Sequence, residues 1–126
     1  MDKMHIYPTD ESPEIIFDPT AGTIELKGKS LPEDIKSFYN PLENAIINYL
    51  KNPKEKTVIN MRFDYLNSAS TKRLLEIITR LEQSFKNGLK VDINWYYKEH
   101  DEEMQEEGEE FGRLTYIPVK LFCVKE

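Results

Sequence analysis

Thr57-Val58-Ile59-Asn60-Met61-Arg62-Phe63-Asp64-Tyr65 alternates residue by residue, with Ile59, Met61, Phe63 and Tyr65 on one face of a strand and Asn60, Arg62 and Asp64 on the other. Lys90 to Tyr97 repeats the pattern, setting Val91, Ile93, Trp95 and Tyr97 against Lys90, Asp92, Asn94 and Tyr96. A parallel sheet covered by helices on both faces shows nearly continuous apolar runs instead. The alternation therefore places the helices on one face of the sheet and leaves the other wet.

Between these two strands Leu74, Leu75, Ile78, Leu81 and Phe85 form an amphipathic stripe that Asn87-Gly88 ends. Upstream, Ile15-Ile16-Phe17, Asp18-Pro19-Thr20-Ala21-Gly22 and Thr23-Ile24-Glu25-Leu26-Lys27 predict a hairpin closed by Gly28. Residues 1 to 13, with Pro8 and Pro13, read as an irregular or edge-pairing arm. Apolar residues at 35, 38, 42, 46, 49 and 50 follow a helical period, and Asn40-Pro41-Leu42-Glu43 looks like a fresh start: an N-cap, a first-turn proline and a glutamate. A short helical turn, a bend and a main helix over about 41–51 are predicted. Asp101 to Arg113 predicts a third helix with Met104, Gly108 and Phe111 inward, and Val119 to Val124 a last strand.

The expected order is β-β-α-β-α-β-α-β. Right-handed crossovers progressing in one direction stack such units as a two-layer α/β superhelix. The sheet is mixed and mostly parallel, with an N-terminal β-hairpin and helices mainly on one face.

A length of 126 residues fits one domain, 1–126, able to bury a core without staples. No apolar run approaches the roughly 20 residues a membrane span needs, and Met1-Asp2-Lys3-Met4-His5 lacks a signal-peptide core. A cytoplasmic location is expected. The net charge of -6 leaves no basic stripe for nucleic acid or anionic membranes. Cys123, the sole cysteine, lies in Leu121-Phe122-Cys123-Val124 and is expected to be a small core residue.

Chemistry concentrates where the first strand hands over to a helix, at Asp64-Tyr65-Leu66-Asn67-Ser68-Ala69-Ser70-Thr71-Lys72. Asn67 or Ser68 can cap the helix, leaving hydroxyls beside unpaired backbone N–H groups and the positive end of the helix dipole. An ordinary N-cap accounts for these residues, and so does a phosphorylated hydroxyl. A hydrolase pairing Ser68 with His5 or His100 would need a GxSxG elbow or oxyanion glycines, which are missing. No phosphate-loop glycine motif occurs, and no cofactor is expected.

Seven of the ten residues from Asp101 to Glu110 are acidic, without the spacing of a calcium loop, so a solvated helix face is expected and no metal site. Trp95 and Tyr97 should belong to the core, and Tyr96 to the open side. That open side, with Asn60, Arg62, Asp64, Asp92, Asn94 and Tyr96, is either a protein-binding surface or an unused wet face.

Taken together, several stretches resemble the SiaC family of bacterial regulatory phosphoproteins, whose fold is similar to the STAS domain of anti-sigma-factor antagonists. They are Tyr7-Pro8-Thr9 with Ser12-Pro13, Phe17-Asp18-Pro19 with Gly22, Gly28-Lys29-Ser30-Leu31-Pro32-Glu33 and Phe38-Tyr39-Asn40-Pro41-Leu42. Tyr65 to Lys72, Trp95-Tyr96-Tyr97 and Asp101 to Phe111 complete the set. The resemblance implies a non-enzymatic partner switch. The hydroxyl after the strand-ending Asn67, here Ser68, would be phosphorylated by a cognate serine/threonine kinase and dephosphorylated by a PP2C-type phosphatase. The family pattern has threonine at this position, and a small hydroxyl residue where this chain has Ala69, so Ser70 and Thr71 are alternative acceptors. The implied output is control of a target protein, a diguanylate cyclase of biofilm signalling in the best-known members. Tyr65, Leu66, Asn67, Ser70, Thr71 and Lys72 are expected to form the docking surface. The competing functions are a small hydrolase using Ser68 and a structural or ligand-binding module without phosphorylation.

Overall fold

Every alternating stretch becomes a strand and every 3.6-period stretch a helix. The structure, a computed structural model, describes residues 2–125; Met1, the first residue of the expected arm, and Glu126 lie outside them. In chain order the elements are β1 (Met4–Ile6), β2 (Glu14–Asp18), β3 (Thr23–Ser30), α1 (Ile35–Tyr49), β4 (Lys56–Leu66), α2 (Ser68–Lys86), β5 (Lys90–Lys98), α3 (Glu102–Leu114) and β6 (Val119–Val124). The arm thus adds one strand to the expected order, pairing antiparallel with β2. The six strands lie in sequence order, β1-β2-β3 antiparallel and β3-β4-β5-β6 parallel.

Ile15, Phe17, Ile24, Leu26, Ile59, Met61, Ile93 and Trp95 from the sheet join Leu42, Ile46, Leu74, Ile78, Leu81 and Phe111 from the helices in one buried cluster. A single cluster means that all three helices cover the same sheet face. The other face carries polar residues, among them the Asn94 Nδ2–Asn60 Oδ1 hydrogen bond (2.9 Å) and the Lys56–Asp92 ion pair (2.9 Å). Hydrogen bonding from Lys56 holds the Asp92 carboxyl below the usual range. Tyr96 lies on this side, stacked on Phe122.

Four local expectations are corrected. Gly28 bends β3 instead of ending it: at φ 116 it permits a register shift after which Lys29 and Ser30 still pair with Tyr65 and Leu66. Asn40 does not restart a helix, since α1 runs unbroken through Pro41 from its cap at Asp34. The buried stripe Tyr39, Leu42, Ile46 and Tyr49 spans the proline, and both Pro41 and Ser37, whose carbonyl loses its helical partner, face solvent. Cys123 is exposed, not a core residue. Its register partner Tyr97 is only half-buried and Tyr65 is 49 % exposed, so the carboxyl ends of these strands run past the helix layer. Along α2, Leu75 and Phe85 are only partly buried, while Ile77, outside the predicted stripe, is in the core.

Gly108 shows how closely α3 sits on the sheet. A Cβ there would lie 2.4 Å from Trp95 Cδ1, and the indole Nε1 donates to the Met104 carbonyl at 3.0 Å. Gly108→Ala is therefore expected to destabilise the fold by about 2 kcal/mol even though alanine favours helix, because the buried indole has nowhere to go. Urea denaturation checks this, and an unchanged or raised midpoint would show that α3 can lift freely.

Candidate functional site

Asn67 is the N-cap of α2: its Oδ1 accepts from Ser70 N at 2.8 Å and its carbonyl from Thr71 N at 3.1 Å. The Ser30 carbonyl at the end of β3 anchors this corner, accepting from Asn67 N (3.2 Å) and from Ser70 Oγ (2.8 Å). Ser30 Oγ donates to Ser70 Oγ (2.8 Å) and lies 2.6 Å from Tyr39 Oη. Each hydroxyl has one proton, so Tyr39 must donate to Ser30. Burial pushes the Tyr39 hydroxyl up to about 12, against the opposing hydrogen bond with Ser30, which keeps it a donor at any physiological pH. Ser30 and Tyr39 were not among the expected site residues. They approach Ser70 from 40 and 31 positions away, a distance no local pattern bridges.

This corner separates the three candidate hydroxyls. Ser70 is 0 % exposed and wholly engaged, so the structure places it in the core, under the surface it was expected to line. Thr71 is half-buried and donates to Glu107 Oε1 of α3 at 2.7 Å. Ser68, the first residue of α2, is exposed, and its hydroxyl has no hydrogen bond to any described residue.

Ser68, Thr71, Lys72, Leu75, Glu76 and Thr79 of α2 face Glu107 and Leu114 of α3 across a groove of about 440 Å³. Tyr65 and Leu66 line an adjoining depression with Asp64, Asp101, Glu103 and again Glu107. Of the expected docking residues, Thr71 and Lys72 share the groove with Ser68, Tyr65 and Leu66 line the adjoining depression, Asn67 holds the turn, and Ser70 supports it from beneath. Glu107 stands where the two depressions meet. In the sequence it is one acid among seven on a helix face, because its neighbour across the groove is set by helix packing.

The histidines lie elsewhere: His5 contacts Glu14 (2.8 Å) and His100 contacts Glu99 (3.1 Å). Neither lines the Ser68 groove, so the geometry does not assemble the hydrolase pairing. Among the described residues no three His, Cys, Asp or Glu side chains are grouped to hold a metal ion, and no helix is long and apolar enough to cross a membrane.

The profile of SiaC family regulatory phosphoproteins matches residues 6–124. The chain belongs to the SiaC family. An uncharacterised protein of Pseudomonas aeruginosa strain UCBPP-PA14 is 29 % identical over 121 residues, covering 96 % of both sequences. The structure of SiaC of Pseudomonas aeruginosa superposes with a TM-score of 0.89 at 26 % identity, covering 98 % of this chain and 100 % of that one. SiaC in the crystal structure of the diguanylate cyclase SiaD with its activator SiaC, also from Pseudomonas aeruginosa, gives 0.90 at 26 % identity over 96 % and 99 %. The six-stranded mixed sheet with three helices is therefore the SiaC fold, and the protein is a regulatory phosphoprotein by family.

Proposed function

We propose that this SiaC-family member is a partner-switching phosphoprotein whose acceptor is Ser68 and whose target is a diguanylate cyclase. The observation that carries the assignment is the inequality of the three hydroxyls: Ser68 is open to a kinase, Ser70 is locked in the core, and Thr71 is tied to Glu107. The target follows by analogy with SiaC of Pseudomonas aeruginosa, an activator in complex with the diguanylate cyclase SiaD.

In the proposed cycle a serine/threonine kinase joins Ser68 Oγ to the γ-phosphorus of ATP, with ADP leaving and the hydroxyl proton released. A PP2C-type phosphatase reverses the modification by hydrolysis. The place of action is the cytoplasm, and the protein itself performs no chemistry. In the unphosphorylated state the target docks over Tyr65, Leu66, Thr71 and Lys72 around Ser68. The phosphate adds about -1.5 to -2 charges and three strong acceptors at a helix N-terminus. The fold tolerates that charge there, so its effect falls on association.

Peptide mass spectrometry on the protein from its native cell tests the acceptor. A gain of about 80 Da on Ser68, one phosphoryl group, is expected in some growth conditions, with Ser70 unmodified. Phosphate on Thr71 would move the acceptor. No modification under any condition would favour a plain binding module.

A further inference from the structure

On the reading that Ser68 carries the phosphate, we propose that Glu107 of α3 senses it from within the molecule. The negative charge on Ser68 expels the Glu107 carboxylate from Thr71 and loosens the start of α3.

Across the groove from Ser68 stands α3, which presents Glu107 and Leu114 there. Thr71 has one proton to give; the Asn67 carbonyl lies 3.3 Å away and Glu107 Oε1 2.7 Å, so the carboxylate is the better acceptor. This bond joins the exposed edge of α3 to the first turn of α2. A phosphoryl group on Ser68 would share the groove with Glu107 and Glu76, with Lys72 as the cation lining it, and Asp101 and Glu103 line the adjoining depression beside Asp64, which is paired with Lys98 at 3.0 Å. Acids thus outnumber bases around it, and like charges at such range repel.

A second, independent feature makes α3 yield at its beginning. The residue before its cap, His100, has φ 72 and is the only non-glycine residue with positive φ among the described residues. Strain of this kind costs of order 1 kcal/mol or more and persists only where surrounding contacts hold it. The far side of α3 is fixed, with Met104, Gly108 and Phe111 buried against the sheet. Met104 keeps its cap at Asp101 (3.0 Å) and its burial, so loss of the Thr71 bond frees the outer edge of the first turns, next to Tyr65 and Leu66, and changes the surface offered to the target.

The test uses full-length protein with phosphoserine installed at position 68 during translation, so that it does not depend on which hydroxyl a kinase chooses. Amide exchange over residues 102–107 is expected to be roughly tenfold faster than in the unmodified protein. Glu107→Gln, which keeps an acceptor for Thr71 without the charge, should abolish most of that acceleration. It should also lower the second ionisation of the phosphoserine, followed by phosphorus NMR, by roughly half a pH unit, the influence of one solvated like charge at close range. A merely structural Glu107 would leave that ionisation unmoved. Unchanged or slower exchange on phosphorylation, as when Lys72 draws the phosphate away, overturns the proposal. So does acceleration that persists in the glutamine variant. The Ser68 assignment stands or falls separately, on the modification found in the native protein.

Discussion

Glu43→Ala is expected to lower the unfolding free energy by about 3 kcal/mol, and the loss comes from charge. Its carboxylate is the main counter-charge of Arg73, whose side chain is 8 % exposed: Nη2 donates to Glu43 Oε1 and to Asn40 Oδ1, both at 2.8 Å. Glu43 Oε2 also accepts from Arg80 at 3.0 Å, and the more exposed Glu76 lies 3.6 Å from Arg73 Nη1. Without Glu43 the guanidinium remains buried with only Asn40 and the longer, half-exposed pairing to Glu76. It already buries an Nε with no hydrogen-bond partner among the described residues. Arg80, more than half exposed, would lose little. Replacing both partners, Glu43→Leu with Arg73→Met, should recover most of the loss, because neither charge then needs desolvating. Urea denaturation of the two singles and the double decides: a double whose cost equals the sum of the singles would show that the ion pair is not the cause.

The same pair gives the protein an acid limb. The hydrogen bond from Arg73, with help from Arg80, holds the Glu43 carboxyl below its usual range against the opposing effect of burial. A group depressed in the folded state contributes stability that is fully present above its unfolded value and is lost as pH falls through the folded one. Glu43→Gln should accordingly lose less stability on acidification than the wild type.

The second large effect is on binding. On the proposed switch, Ser68→Asp is expected to weaken the complex with the proposed cyclase target at least tenfold relative to Ser68→Ala, in titration calorimetry with the purified partner. Aspartate carries less charge than a phosphate, so the fully phosphorylated protein should be weaker still. Both variants should unfold within about 0.5 kcal/mol of the wild type, because Ser68 is exposed and has no internal partner. Equal affinities would sink the switch, and a matching loss of stability would assign the defect to folding.

Local order was legible because its causes are local. The alternation from Thr57 to Tyr65 and from Lys90 to Tyr97 answers to the pleat, and Met104, Gly108 and Phe111 to the helical turn, so these faces follow from neighbours a few residues apart. Asn67 caps α2 for the same reason. Pro41 shows where that logic stops: Asn40-Pro41-Leu42-Glu43 has every local mark of a helix start, yet burial of Tyr39 on one side and Leu42 and Ile46 on the other carries α1 straight through. Asn40 instead accepts from Arg73, 33 residues on.

At the site, the residues alone place three hydroxyls within four positions of one helix turn, and only the family resemblance puts Ser68 ahead of Ser70 and Thr71. Their ranking depends on what packs against each side of that turn. Ser30 and Tyr39 reach Ser70 from beneath, Glu107 reaches Thr71 from α3, and nothing described reaches Ser68. Cys123 and Tyr65 follow the same rule, apolar by neighbourhood but placed beyond the end of the helix layer. Elements, faces and caps are thus written in residues that stand near one another in the chain. Exposure, hydrogen-bond partners and the choice among chemically equal groups depend on residues brought together only when the sheet and its helices close.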